Sequence, residues 1–273
     1  MNAIVRRLWR NGKRRIERRL EKSVLGDCSR PMLTASNIHY ELGGRSRGMS
    51  YGGIGAMHLL ACKLGLVDTI NRRLVLLKIH QPYFESDHVL NFAYNALCDG
   101  TFLDDIELRR NDEVFLDALG ARRIPDPTTA GDFCRRFAPY HVNLLQDIFD
   151  ETRLRVWRQQ PPEFFEEARV DFDGHLVETT GECKGGMSLA YDGTWGYHPL
   201  VVSLANTGEV LRLVNRSGSR PSHQGAAEEA DRAIAFLRRA GFRRVLLRGD
   251  TDFSQTEHLD RWDANRRVRF IFG

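Results

Sequence analysis

No run of apolar residues in this 273-residue chain approaches the roughly 20 that a membrane-spanning helix requires. Nor does the N-terminus carry the apolar stretch of a signal peptide, since its first two dozen residues are crowded with arginine. A cytoplasmic, nucleoid-associated protein with no membrane contact is the expectation. Cysteine is scarce too. Cys28, Cys62, Cys98, Cys134 and Cys183 are odd in number and far apart, with no Cys-x-x-Cys pair for zinc or redox chemistry. Free buried thiols are expected, and their dissimilar surroundings, GDCSR, LACKL, ALCDG and DFCRR, exclude a repeat. Neither Gly-Lys-Ser/Thr nor Gly-x-Gly-x-x-Gly occurs, so the stretch GGRSRGMSYGG (Gly43 to Gly53) reads as a flexible joint rather than a nucleotide loop. His198, His223 and His258 are isolated and fit no zinc spacing. The sequon at Asn215 to Ser217 carries no meaning in a protein that is not secreted.

What is present is an ordinary globular composition, 42% hydrophobic and 28% charged, with a formal net charge of only +4. The charge is unevenly spread. Arg6, Arg7, Arg10, Lys13, Arg14, Arg15, Arg18, Arg19 and Lys22 meet only Glu17 and Glu21 at the start of the chain. Such an arm suits a polyanion, and a solvated helical face is the alternative. Three parts follow: a basic arm with its linker over 1–50, a helical region over 51–160, and a strand-rich region over 165–273.

In the middle part, apolar residues recur at three-to-four spacing in IGAMHLLACKLGLV and in SDHVLNFAYNALC, where Ser86 or Asp87 is the expected N-cap. Pro125 and Pro127 precede a short helix expected to be capped by threonine. Pro139 then ends it before a longer helix closing near Arg158. Two helices so joined can pack on each other or dock on DNA, and packing is favoured because no basic recognition face is evident.

From Ala168 the pattern turns to strands. YHPLVVSLA and GEVLRLVNR are joined by Asn206-Thr207-Gly208, a hairpin signal. GAAEEADRAIAFLRRAG is a helix by its acidic start, basic end and closing Gly241. A strand (RRVLLRGD), a helix near Thr256 to Ala264, and a last strand (VRFIFG) complete the order β-β-β-α-β-α-β.

LLRGDTDFS (Leu246 to Ser254) poses a question, because a buried strand there gives way to carboxylates. Asp173 ends the first strand of this region and Asp250 the fourth. If those strands are neighbours, the two carboxylates converge to about 4–7 Å, and like charges so placed call for a cation. Hard oxygen ligands select Mg²⁺ or Mn²⁺. Such an ion keeps positions open for water and phosphate oxygens, as in-line attack on a phosphodiester requires. Taken singly, either aspartate can equally be a turn or helix cap.

The segments VDFDGHLVETTGECKGGMSLAYDGTWGYHPLVVSLANTGEVLRLVNRSGSRPSHQGAAEEA and AIAFLRRAGFRRVLLRGDTDFSQTEHLDRWD resemble the catalytic region of bacterial DDE transposases of the insertion sequence 1380 family. The likeness covers roughly 168–273, and SDHVLNFAYNALC through GDFCRRF resembles the same family's N-terminal half. The resemblance implies a helical region followed by a ribonuclease H-like α/β domain, with two aspartates and a glutamate holding two divalent metals. Its first aspartate maps to Asp173, with Asp171 as a substitute on the same strand face. His175 stands where threonine is usual. The second maps to Asp250, with Asp252 flanking it. The family's glutamate follows a later strand and insertion, so a truncated, catalytically incomplete domain is expected, and Glu257 lies on the wrong helix to replace the glutamate.

Arg216 and Arg220 flank the Ser217-Gly218-Ser219 loop and are expected, with Arg14, Arg15, Arg18 and Arg19 of the arm, to contact DNA phosphates. Tyr191, Trp195 and Tyr197 either stack on unpaired bases or form the core of a hairpin, and core packing is favoured. The resemblance implies a homodimer that cuts and joins DNA at the ends of a mobile element. The alternative is an inactive fragment that binds the terminal repeats or titrates the complete enzyme. A structural or metabolic protein unrelated to DNA fits neither the arm nor the paired aspartates.

Overall fold

In Glu167–Gly174 (β1), Ala168, Val170 and Phe172 are buried while Arg169, Asp171 and Asp173 face the other way, the period-two signature of a strand with one face on a core. The computed structural model describes residues 50–80, 82–181 and 184–273, and in the arm Arg7, Arg10, Asn11, Arg14, Glu17, Arg18 and Glu21. Arg15, Arg19, Cys28, Cys183 and most of the expected linker lie outside the described residues.

The chain divides into Met1–Arg47 and Gly48–Gly273. In the first unit, the seven described residues have helical backbone and exposed side chains, and their three-to-four spacing puts them on one helix face.

The second unit starts with helices: α1 (Ile54–Lys63), α2 (Leu66–Arg73), α3 (Glu85–Leu97), α4 (Ile106–Arg110), α5 (Glu113–Leu119), α6 (Pro127–Cys134) and α7 (Pro139–Trp157). Leu90, Tyr94, Ile106 and Phe115 build one core here. Ile70, Leu74, Phe133 and Ile148 build another, in which α6 and α7 pack together. The caps differ from expectation. α3 begins at Glu85, with Asp87 reaching back from its first turn to the Phe84 amide at 2.8 Å. α6 is capped by Asp126, whose carboxylate accepts from the Thr129 amide at 2.9 Å. The thiols also differ, for Cys98 is buried but Cys62 and Cys134 are free and exposed.

Strands β1, β5 (Leu200–Leu204), β6 (Glu209–Val214), β7 (Arg244–Gly249) and β8 (Val268–Phe272) form a five-stranded sheet ordered β6-β5-β1-β7-β8. β5 is antiparallel to both of its neighbours, β6 and β1, while β7 and β8 run parallel to β1. The two parallel steps need crossovers. α8 (Ala226–Ala240) supplies the first and α9 (Thr256–Asp263) the second. Ala226, Ala230, Ala233 and Leu237 make one stripe of α8 against Val170, Val202, Leu204 and Leu247. Their small side chains let helix and sheet approach closely. Each fully buried branched or aromatic residue in this core contributes about 1.5–3 kcal/mol.

Helix α7 joins the two regions. Trp157 is buried in the sheet core and donates to Glu209 at 3.1 Å. Buried Asp150 accepts from Arg212 of β6 at 2.7 Å and from Arg153 at 2.6 Å. A second, three-stranded sheet, β2 (Val177–Glu178), β3 (Ser188–Leu189) and β4 (Trp195–Tyr197), lies between β1 and β5 in the chain, in the order β2-β4-β3. Among the described residues no helix is long and apolar enough to cross a membrane.

Candidate active site at the sheet edge

Strands β1 and β7 are parallel neighbours with a constant offset of 77 residues, which sets Asp171 beside Arg248. The same offset carries Asp173 onto Asp250, two residues beyond the last ladder pair. Paired residues in parallel strands project to one face, and neighbouring strands lie about 4.8 Å apart. Both aspartates are exposed. Among the described residues, the Asp173 side chain makes no hydrogen bond or ion pair, its backbone pairing with Val201 of β5. Asp250 begins the 3₁₀ turn Thr251–Phe253, with one carboxylate oxygen accepting from the Asp252 amide at 3.0 Å.

Asp171 has a different occupation. The Arg248 guanidinium grips its two oxygens at 2.7 and 2.8 Å, and this hydrogen-bonded pair raises the pKa of Arg248 above its ordinary value. Half-exposed pairs of this kind are worth at most about 1 kcal/mol, so the bond's consequence is geometric. It occupies both Asp171 oxygens and leaves the Asp173 side chain as the uncommitted acid of that face.

A glycine adjoins each exposed acid, and in both cases a ring forbids anything larger. A Cβ on Gly174 would lie 2.3 Å from Nε2 of His198, and one on Gly249 would lie 2.9 Å from the Phe253 ring. His198 is buried, with Nδ1 2.8 Å from the Arg220 carbonyl. It is therefore part of the scaffold behind Asp173.

Arg216 is placed otherwise than a phosphate contact requires. Its Nε donates to the His198 carbonyl at 2.9 Å, and Nη1 donates to the carbonyls of Ser222 and Gln224 at 2.9 and 2.8 Å and of Pro221 at 3.3 Å. Burial, and then the charge of Arg220, lower its pKa below the usual arginine value. Arg216 thus staples the 216–224 loop, while Arg220 is exposed. From that loop, the Ser222 hydroxyl donates to Asp252 at 3.2 Å, beside Asp250. His258 lies against Trp262. His223 and His258 line a small apolar hollow with Phe172 and Phe253. Neither the Arg248 pair nor the His198 scaffold was evident from residue types, because both depend on which strands become neighbours. The Asp-Gly and Gly-Asp dipeptides were the local signal available.

The donor chemistry at the ends of β1 and β7 is two exposed carboxylates, Asp173 and Asp250, hard oxygen donors of the kind that suits a Mg²⁺-like ion keeping most of its water. Among the described residues, no three His, Cys, Asp or Glu side chains converge as a metal cluster.

Comparison with known proteins gives the class. The profile of the family described as "Transposase DDE domain group 1" matches residues 31–273, and the chain belongs to that family. No curated protein sequence matches it. Among solved structures, it is similar to the cryo-EM structure of a piggyBac transposase synaptic complex with hairpin DNA, with 13% identity and a TM-score of 0.40 over 79% of this chain. This chain spans about half of that one, 50% of its length.

Proposed function

We propose that this chain is the DNA-cutting part of a transposase, with a ribonuclease H-like core that uses Asp173 and Asp250 to hold a divalent metal, Mg²⁺ or Mn²⁺, at a phosphodiester. One observation supports the reading, the parallel β1/β7 register, which pairs Asp171 with Arg248 and, continued two residues further, brings the ends of the two strands that carry Asp173 and Asp250 side by side. Family membership supports the chemistry. The sheet order, with three antiparallel strands followed by two parallel ones joined through helices, supports the ribonuclease H-like core. Membership in the insertion sequence 1380 family rests on the sequence resemblance.

When bound, such an ion polarises a phosphoryl oxygen and lowers the pKa of a bound water. The chain's own residues prepare that position. The Asp252 amide orients the Asp250 carboxylate. The Asp171–Arg248 pair fixes the two strands in register one step below the acids. Arg220, exposed on the stapled loop, is positioned to meet a phosphate. DNA is the partner this chemistry requires.

A second reading, DNA binding without cutting, draws on the lack of a three-residue acidic cluster among the described residues. Nicking of supercoiled plasmid DNA in Mn²⁺ separates the two. Cutting by the purified chain that is lost in both Asp173→Asn and Asp250→Asn supports the enzyme. Salt-sensitive DNA binding with no nicking at any metal concentration supports the second reading.

A further inference from the structure

We propose that the small β2-β4-β3 sheet is a stacking platform for unpaired nucleobases of the DNA strand entering the Asp173/Asp250 site. Leu189 and Trp195 are cross-strand partners, as are Val177 and Tyr197. Trp195 and Tyr197 are two residues apart on β4, so all four side chains share one face. That face is open. Leu189 is 56% exposed, Trp195 49% and Val177 42%, and Tyr191, in the turn between β3 and β4, is 91% exposed. Large apolar groups gathered in this way mark a contact surface rather than an ordinary solvated one.

The rings are held ready. The turn is closed by the Ala190 amide on the Thr194 carbonyl at 2.7 Å and by the Asp192 carboxylate on the Thr194 amide at 2.9 Å. Gly193 supplies the left-handed residue, with φ of 87°. The platform is also fused to the loop that braces the acids. The Ser219 amide donates to the Ser188 hydroxyl at 2.8 Å, and the Gly218 amide to the Gly196 carbonyl at 3.0 Å. From there Arg216 and Ser222 lead to Asp252.

Position and charge select nucleobases over a second protein. β4 runs directly into β5, whose Val201 is the ladder partner of Asp173. Six residues separate Trp195 from Val201, so the ring stands within about 20 Å of the acid along the chain. That is about six nucleotides at roughly 3.4 Å each. The neighbouring carboxylates are turned away, since Asp192 binds its own turn and Glu178 points to the opposite side of β2 from Val177. Lys184 and Arg220 are the exposed cations nearby. Stacking on Tyr and Trp is sequence-tolerant, because every base has a π-face.

The inference rests on the DNA-cutting reading, and its test separates the two. Binding of the full chain to a labelled single-stranded oligothymidylate and to a duplex of equal length is followed by fluorescence anisotropy. The Tyr191→Ala/Trp195→Ala double variant should lose about tenfold per ring on the single strand and change little on the duplex. Tyr191→Phe and Trp195→Phe should keep most of the affinity, because stacking uses the ring. Unchanged single-strand binding in the double alanine variant overturns the platform alone. So does an equal loss on both DNAs, or a wild-type dimer that the double variant converts to monomer, which would make a second copy the occupant. A wild-type chain that binds neither DNA overturns the DNA-cutting reading itself.

Discussion

At the scale of single residues, the site is organised by what cannot be substituted beside the acids as much as by the acids. Gly174 touches the buried, hydrogen-bonded ring of His198. Gly174→Ala therefore has to displace either that ring or β1, an overpacking cost of about 1–3 kcal/mol. A lowered urea midpoint, with metal-dependent nicking reduced more than folding alone explains, is the expected outcome. An alanine variant as stable as the parent would show that the ring moves freely. This scale also marks where reading the sequence stops. Asp171 and Asp173 have the same period and the same face, so alternation alone cannot choose between them. The choice depends on Arg248, 77 residues away, which approaches only once β7 lies beside β1. Arg216 misleads for a related reason. A guanidinium next to a glycine-serine loop reads as a phosphate contact, yet here the loop's own carbonyls surround it.

Among the elements, the long ones were legible and the short ones were not. β1, β5, β6, β7, β8 and α8 carry patterns of five or more residues, and α8 has acidic, basic and glycine signals at its ends. β2 and β3 are two residues each, too short for any alternation to register, so the small sheet emerges only through its pairing with β4. The contact of α7 with β6 leads to a pH prediction. Burial pushes the Asp150 carboxyl up to about 6 against the opposing pull of Arg212 and Arg153. The unfolded carboxyl titrates near 3.9. Between about pH 4 and pH 6 the folded state therefore binds more protons than the unfolded one, and this group's contribution to stability falls as pH rises through that window. Urea unfolding of the parent and of Asp150→Asn across pH 4 to 7 should show the parent losing stability relative to the variant as pH increases. A relative gain would mean that the two arginines outweigh burial. For the 216–224 loop, Arg216→Ala leaves several carbonyls without their donor, at about 1–3 kcal/mol, and Arg216→Lys should not restore them, because an ammonium lacks the planar fork. Faster amide exchange confined to residues 217–224 is the expected signature, and unchanged exchange there would remove the staple.

For the whole molecule, the proposed function divides the task of holding DNA between the basic arm and the acidic edge. Arg7, Arg10, Arg14 and Arg18 occupy one exposed helix face, and each phosphate they neutralise should add about 0.9 to the slope of log affinity against log salt. Deleting residues 1–22 should weaken duplex binding and flatten that slope, whereas an unchanged slope would exclude the arm from the DNA contact. On the proposed function, cutting depends instead on the edge where β1 and β7 end. The most direct test there is a Mn²⁺ titration followed by electron paramagnetic resonance, on the parent chain and on Asp171→Asn, Asp173→Asn and Asp250→Asn. Asp173→Asn and Asp250→Asn should each weaken binding by at least about tenfold, and Asp171→Asn should leave it nearly unchanged. Binding lost in Asp171→Asn but retained in the other two would contradict the assignment of the metal to Asp173 and Asp250.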